Sequence, residues 1–138
     1  MTGIEVRLVR PKIGNGYSKE LIDFVEKIIH DHPSIGVEGK ISMNYTGATY
    51  TFDEKEYAVF LLINRTSMIV DSDLSFYLSW SYSEQKVFNR QPIFYNHNSR
   101  GDLGINQATL MMLEITPEQQ EIVNQMSDSH KMEIKIIA

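Results

Sequence analysis

The sequence predicts a mainly β protein, an antiparallel β-sandwich of about seven strands with one N-terminal amphipathic helix and a short helix near residues 117–126. Residues 57–82, YAVFLLINRTSMIVDSDLSFYLSWSY, open with a dense apolar run that ends at Asn64-Arg65-Thr66. Further along, Leu74, Phe76, Leu78, Trp80 and Tyr82 alternate with Ser75, Tyr77, Ser79 and Ser81. Period-two alternation sets one group of side chains against a core and the other toward solvent. Only one long helical pattern is present, too little to cover both faces of a parallel sheet, so antiparallel pairing is expected. A cone-like α+β arrangement, a curved sheet around the first helix, is the alternative.

Each element follows from local chemistry. Ile4, Val6 and Leu8 alternate with Glu5, Arg7 and Val9 as a first strand, which Pro11 stops. Residues 13–17 read as a loop. Ser18 is a suitable N-cap, and Glu20 places a carboxylate in the first turn. Leu21, Ile22, Val25, Ile28 and Ile29 recur at helical spacing, and the helix should end near Asp31, because Pro33 disfavours helical geometry just before it.

Segments near 37–44, 48–52, 57–64, 74–82 and 86–94 are rich in β-branched and aromatic residues. Thr46-Gly47 is expected to turn between the first two. Residues 96–102 form the most polar loop. Residues 108–115, ATLMMLEI, return to strand character, with a Leu and Met content that would also suit a helix. Thr116-Pro117-Glu118-Gln119 combines an N-cap, a proline at the first helical position and a capping-box glutamine, which starts a helix to about Met126. Met132, Ile134 and Ile136 alternate with Glu133 and Lys135 as a closing strand.

At 138 residues, with 42% hydrophobic and 22% charged residues, the chain is expected to form a single domain over residues 1–138 with a real core. The absence of cysteine excludes disulfides and thiolate ligands. No stretch approaches the roughly 20 apolar residues of a membrane span, so no membrane insertion is expected. If Met1 is the native start, the charged N-terminus is not a signal peptide and a cytoplasmic location follows. A net charge of −5 argues against a nucleic-acid partner.

Candidate chemistry is sparse. Gly14-Asn15-Gly16 precedes a helix but lacks the Walker and dinucleotide spacings. His30-Asp31-His32 has ligand types for a metal, but adjacent side chains at a helix end diverge, so no metal and no cofactor are expected. No serine sits in a nucleophile elbow, and the pairs Asp53/Glu54 and Asp71/Asp73 fall in polar turns. Asn44-Tyr45-Thr46 and Asn64-Arg65-Thr66 match the glycosylation sequon only by chance if no secretory signal exists. No catalytic residue is assigned, and the chain is not expected to be an enzyme.

The aromatics Phe76, Tyr77, Trp80, Tyr82, Phe88, Phe94 and Tyr95 form the richest cluster, most of it core. Tyr77 and Tyr95 fall out of phase and are expected at the surface, beside the 96–102 loop. With His97 and Arg100 they make the candidate partner-binding site.

The order YAVFLLINRT, LSFYLSW, a loop-rich segment, ITPEQ and MEIKII resembles the accessory immunoglobulin-like β-sandwiches of Gram-positive bacteria, including SLAP-type domains associated with S-layer assembly. The resemblance covers about residues 35–137. It implies an immunoglobulin-like fold with no catalytic residues and a binding or assembly role, with a protein partner or self-association. The alternative fold implies a small-ligand pocket between the first helix and the sheet, lined by some of Phe60, Leu62, Phe76, Leu78 and Trp80.

Overall fold

A computed structural model describes residues 5–11 and 17–137. The protein is mainly β, with two sheets packed face to face and a helix on the far side of one of them. The elements in order are β1 (Arg7–Leu8), α1 (Lys19–Asp31), β2 (Ile41–Phe52), β3 (Lys55–Asn64), β4 (Leu74–Tyr82), β5 (Gln85–Tyr95), α2 (His97–Arg100), β6 (Gln107–Ile115), α3 (Pro117–Val123) and β7 (Met132–Ile137). The first sheet has the order β1-β6-β3-β2, the second β5-β4-β7.

The apolar run of β3 explains the layering. Ala58 to Asn64 are all completely buried, so both faces of this strand are covered. Val59, Leu61 and Ile63 meet Leu21, Ile22, Val25 and Ile29 of α1. Ala58, Phe60 and Leu62 point the other way, into a core with Phe76, Leu78, Trp80 and Phe88 of the second sheet. Trp80 is its centre, with ring centroids 4.7 Å from Tyr45, 4.9 Å from Phe60 and 5.7 Å from Phe88.

These contacts correct the expected pocket. Phe60, Leu62, Phe76, Leu78 and Trp80 fill the space between the sheets instead of lining a cavity against α1. Large side chains from two inward faces interdigitate there, leaving the ring contacts just described.

α1 begins as expected, with Ser18 Oγ accepting from the Leu21 amide at 3.1 Å. Its solvent face carries exposed ion pairs, Lys19–Asp23 at 2.7 Å and Lys27–Asp31 at 2.9 Å. Lys19 and Lys27, by hydrogen bonding, hold the Asp23 and Asp31 carboxyls below their usual range. α3 has the full capping box of Thr116 and Gln119 but ends at Val123, short of Met126.

Other boundaries moved. The first strand is reduced to Arg7–Leu8 and runs parallel to β6, an exception to the antiparallel pairing expected. Ile4 and residues 13–16 of the following loop lie outside the described residues. The second half of segment 37–44 and segment 48–52 belong to one strand, β2, which starts only at Ile41 and has a register irregularity between Tyr45 and Thr49 where a turn was expected. Gly47, at φ +88°, absorbs it. The polar 96–102 loop contains the single helical turn α2.

The Asn64 side chain ties three segments together. Its Nδ2 donates to the carbonyls of Met68 (2.9 Å), Leu103 (3.1 Å) and Gly104 (3.2 Å), while Oδ1 accepts from the Thr66 amide and hydroxyl. A buried amide so fully paired is expensive to lose, since each stranded carbonyl carries a desolvation cost. Asn64→Ala should therefore destabilise the protein by about 3 kcal/mol, read as a lower urea midpoint at an unchanged m-value.

The β2–β3 and β4–β5 hairpins turn through Asp53-Glu54 and Ser83-Glu84, all four at positive φ (+53°, +63°, +49° and +71°). That is type I′ geometry without the usual Asn-Gly. Replacing Ser83-Glu84 by Asn-Gly should raise stability by roughly 1 kcal/mol, detectable as a higher melting temperature.

Candidate functional site

The second sheet turns its inner face to the core and leaves its outer face uncovered among the described residues. On β4 the outward positions are Ser75, Tyr77, Ser79 and Ser81, as the alternation implied. Register then builds the surface row by row. Phe94 lies beside Ser75, Pro92 and Ile137 flank Tyr77, Lys135 sits beside Ser79, and Lys86 and Glu133 flank Ser81. Arg90 reaches over the Tyr77 ring, its guanidinium carbon 4.5 Å from the centroid. Lys86 lies across Ser79, donating to its hydroxyl at 3.2 Å.

The face therefore has two halves. Phe94 (54% exposed), Tyr77 (39% exposed), Pro92 and Ile137 make an apolar end with a shallow hollow of about 290 Å³ between β4 and β5. Arg90, Lys86 and Lys135 make a cationic end, accompanied by Glu133, whose carboxylate is 3.6 Å from Lys135 Nζ.

Of the four expected site residues, Tyr77 is on this face. Tyr95 is not at the surface as expected; it is 1% exposed. The reason is a bulge. Trp80 pairs with Phe88 but Leu78 pairs with Gln91, so β5 gains one residue between them. One extra residue exchanges inward and outward positions beyond it. Phe94, grouped with the core aromatics in sequence, is thereby turned to solvent, and Tyr95 is turned in. No residue type near 88–91 signals that slip, and only pairing with β4 reveals it.

The Tyr95 hydroxyl donates to the Gly101 carbonyl at 2.6 Å, and burial pushes its pKa above the usual phenol range. Arg100 is an internal brace. It donates to the Leu110 carbonyl (2.9 Å), the Thr109 hydroxyl (3.2 Å) and the Tyr17 hydroxyl (3.4 Å). His97 is held by its amide on Asp73 Oδ1 at 2.9 Å and by Nε2 against Asp102 Oδ1 at 2.5 Å. The structure thus brings Tyr95, His97 and Arg100 together as the architecture of the 96–102 loop, next to Phe94 in the chain.

A second concavity, about 430 Å³, lies between α1 and β2. Phe24, Ile28, Ile35 and Leu61 supply its apolar walls, and Lys27, His32 and Asn44 its polar edge. The metal reading of His30-Asp31-His32 finds His30 Nδ1 3.5 Å from Asp31, which is itself engaged by Lys27. Among the described residues no three His, Asp or Glu side chains gather as a metal site, and no helix is long and apolar enough to cross a membrane. No protein-family model, curated protein or solved structure matches this chain.

If Arg100 is a brace, removing it should act on stability. Arg100→Ala is expected to cost roughly 2 kcal/mol in urea unfolding, and Tyr95→Phe about 1 kcal/mol, whatever either does to binding.

Proposed function

We propose that this protein is a non-enzymatic binding module that docks a protein partner on the outer face of its second sheet. The observation that carries the reading is the pair Tyr77 and Phe94, two aromatic side chains held in solvent on a rigid strand pair. A contiguous exposed apolar patch with a polar rim is the usual signature of an interaction site, and tyrosine and arginine dominate the energetics of such sites. Here Arg90 stacks on Tyr77, so the two present one preorganised surface with little rotamer entropy left to lose. The scaffold is read as an immunoglobulin-like sandwich extended by a helix layer, a reading supported by two sheets packed face to face over Trp80.

A photo-crosslinking residue at position 94, expressed in the source organism, should capture one discrete protein. The same residue at position 68, where Met68 is exposed on a different loop, should capture none. Tyr77→Ala and Phe94→Ala should each reduce affinity for the captured partner by about tenfold or more. Their effect on folding stability should stay within about 0.5 kcal/mol. Equal capture from both positions would refute the assignment.

The groove between α1 and β2 supports a second reading, a small-ligand site. Its volume falls within the ligand-binding range, and Phe24 stays 41% exposed at its wall. Filling it with Ile28→Trp should abolish any ligand-induced rise in melting temperature found by screening.

A further inference from the structure

We infer that the partner presents an acidic segment with apolar side chains at one end, matched to the two halves of the β5-β4-β7 outer face. This rests on the docking reading above and adds the chemistry of the occupant. The whole chain carries a net charge of −5, yet this face gathers Lys86, Arg90 and Lys135 against Glu133 alone among its described residues. A cationic surface on an acidic protein is a local inversion of the long-range field. Charge complementarity of this kind steers the right partner and repels the wrong one.

The cations are not consumed by internal pairing. Lys86 bonds a serine hydroxyl and Arg90 stacks on a ring, and neither faces a carboxylate. Lys135 shares only the exposed contact with Glu133, both side chains being more than 60% accessible, and such pairs contribute little. All three charges therefore remain open to an incoming anion.

The alternatives fit less well. A second copy would bring the same cations against one another, and like charges across an interface are costly. Single-stranded nucleic acid stacks successive bases on aromatics along a continuous basic groove, whereas here the Tyr77 ring already carries the Arg90 guanidinium and Phe94 stands at the end of the sheet away from Lys86 and Lys135. The overall negative charge also opposes a polyphosphate. An acidic polypeptide, with its charges over Arg90, Lys86 and Lys135 and its apolar side chains over Tyr77, Phe94 and Pro92, meets both halves at once.

The test measures binding of the intact protein to three synthetic probes: a Glu/Phe-rich peptide, its Lys/Phe counterpart and oligothymidylate. Each is titrated at low and high salt with heteronuclear NMR mapping. The acidic peptide should bind with shifts confined to β4, β5 and β7, and weaken with salt. Lys86→Glu/Arg90→Glu/Lys135→Glu should weaken it by about tenfold or more, and the milder triple Gln variant by less. Glu133→Gln should tighten it, a sign opposite to any general loss of folding.

Equal binding of the two peptides, binding of neither, preferred binding of oligothymidylate, or self-association through this face would each overturn the inference. The crosslinked partner separates this result from the docking reading. If Tyr77→Ala and Phe94→Ala abolish its binding while triple charge reversal leaves it unchanged, the face is correct and the acidic chemistry is wrong. If neither set matters, the docking reading itself fails.

Discussion

Burial of β3 on both faces is the constraint on which the rest of the structure depends. Ala58 to Asn64 have no side to give to water, so the strand needs one layer against Val59, Leu61 and Ile63 and another against Ala58, Phe60 and Leu62. α1 supplies the first layer with the apolar stripe from Leu21 to Ile29, and the second sheet supplies the other around Trp80. Full burial also forces the polar end of the strand to be solved internally. Asn64 does so with its own amide, bonding the carbonyls of Met68 within the 66–70 segment and of Leu103 and Gly104. One residue therefore ends a core strand and sets the path of two loops.

The same layering determines what is left over. α1, the only long helix among the described residues, is spent on the outer face of the first sheet, so the second sheet keeps an open face. On it the inward rule no longer selects residues, and Phe94, Tyr77 and Pro92 remain where packing gives them no reason to be apolar. Ser79 and Ser81, by contrast, are sheltered at the same face, with Lys86 crossing Ser79. The apolar and cationic halves of this surface are thus a property of the register between the β4–β5 hairpin and the distant strand β7.

Much of the fold was legible. Helix α1 and the α3 start were written in Ser18, Thr116, Pro117 and Gln119 because caps are local chemistry. The alternation in β4 assigned Trp80 to the core and Tyr77 to the surface, and both lie there. The candidate site was legible only in part. Tyr77 was placed correctly, but Tyr95 and Phe94 exchanged faces, because the bulge opposite Leu78–Trp80 is made by two strands and is invisible in either alone. Arg100 looked like a free loop cation, yet it reaches back to Leu110 and Tyr17, contacts that exist only after β6 has docked. Asp53-Glu54 was seen as a polar turn, while the type I′ geometry of both hairpins was hidden, since neither has the glycine usual at the second turn position.

By itself the sequence determined the β class, the two principal helices, the apolar strand that anchors both layers and the alternation that sets β4. These are short-range properties, carried by periodicity and by capping groups a few residues apart. The tertiary structure alone decided which sheet the helix covers, which face stays open, and which aromatics stand on it. Those outcomes depend on register between β4, β5 and β7 and on two one-residue slips in β5, of which the one between Phe88 and Gln91 places Phe94 and Tyr95. A single slip reverses every side chain beyond it, and no local preference of the chain can specify that.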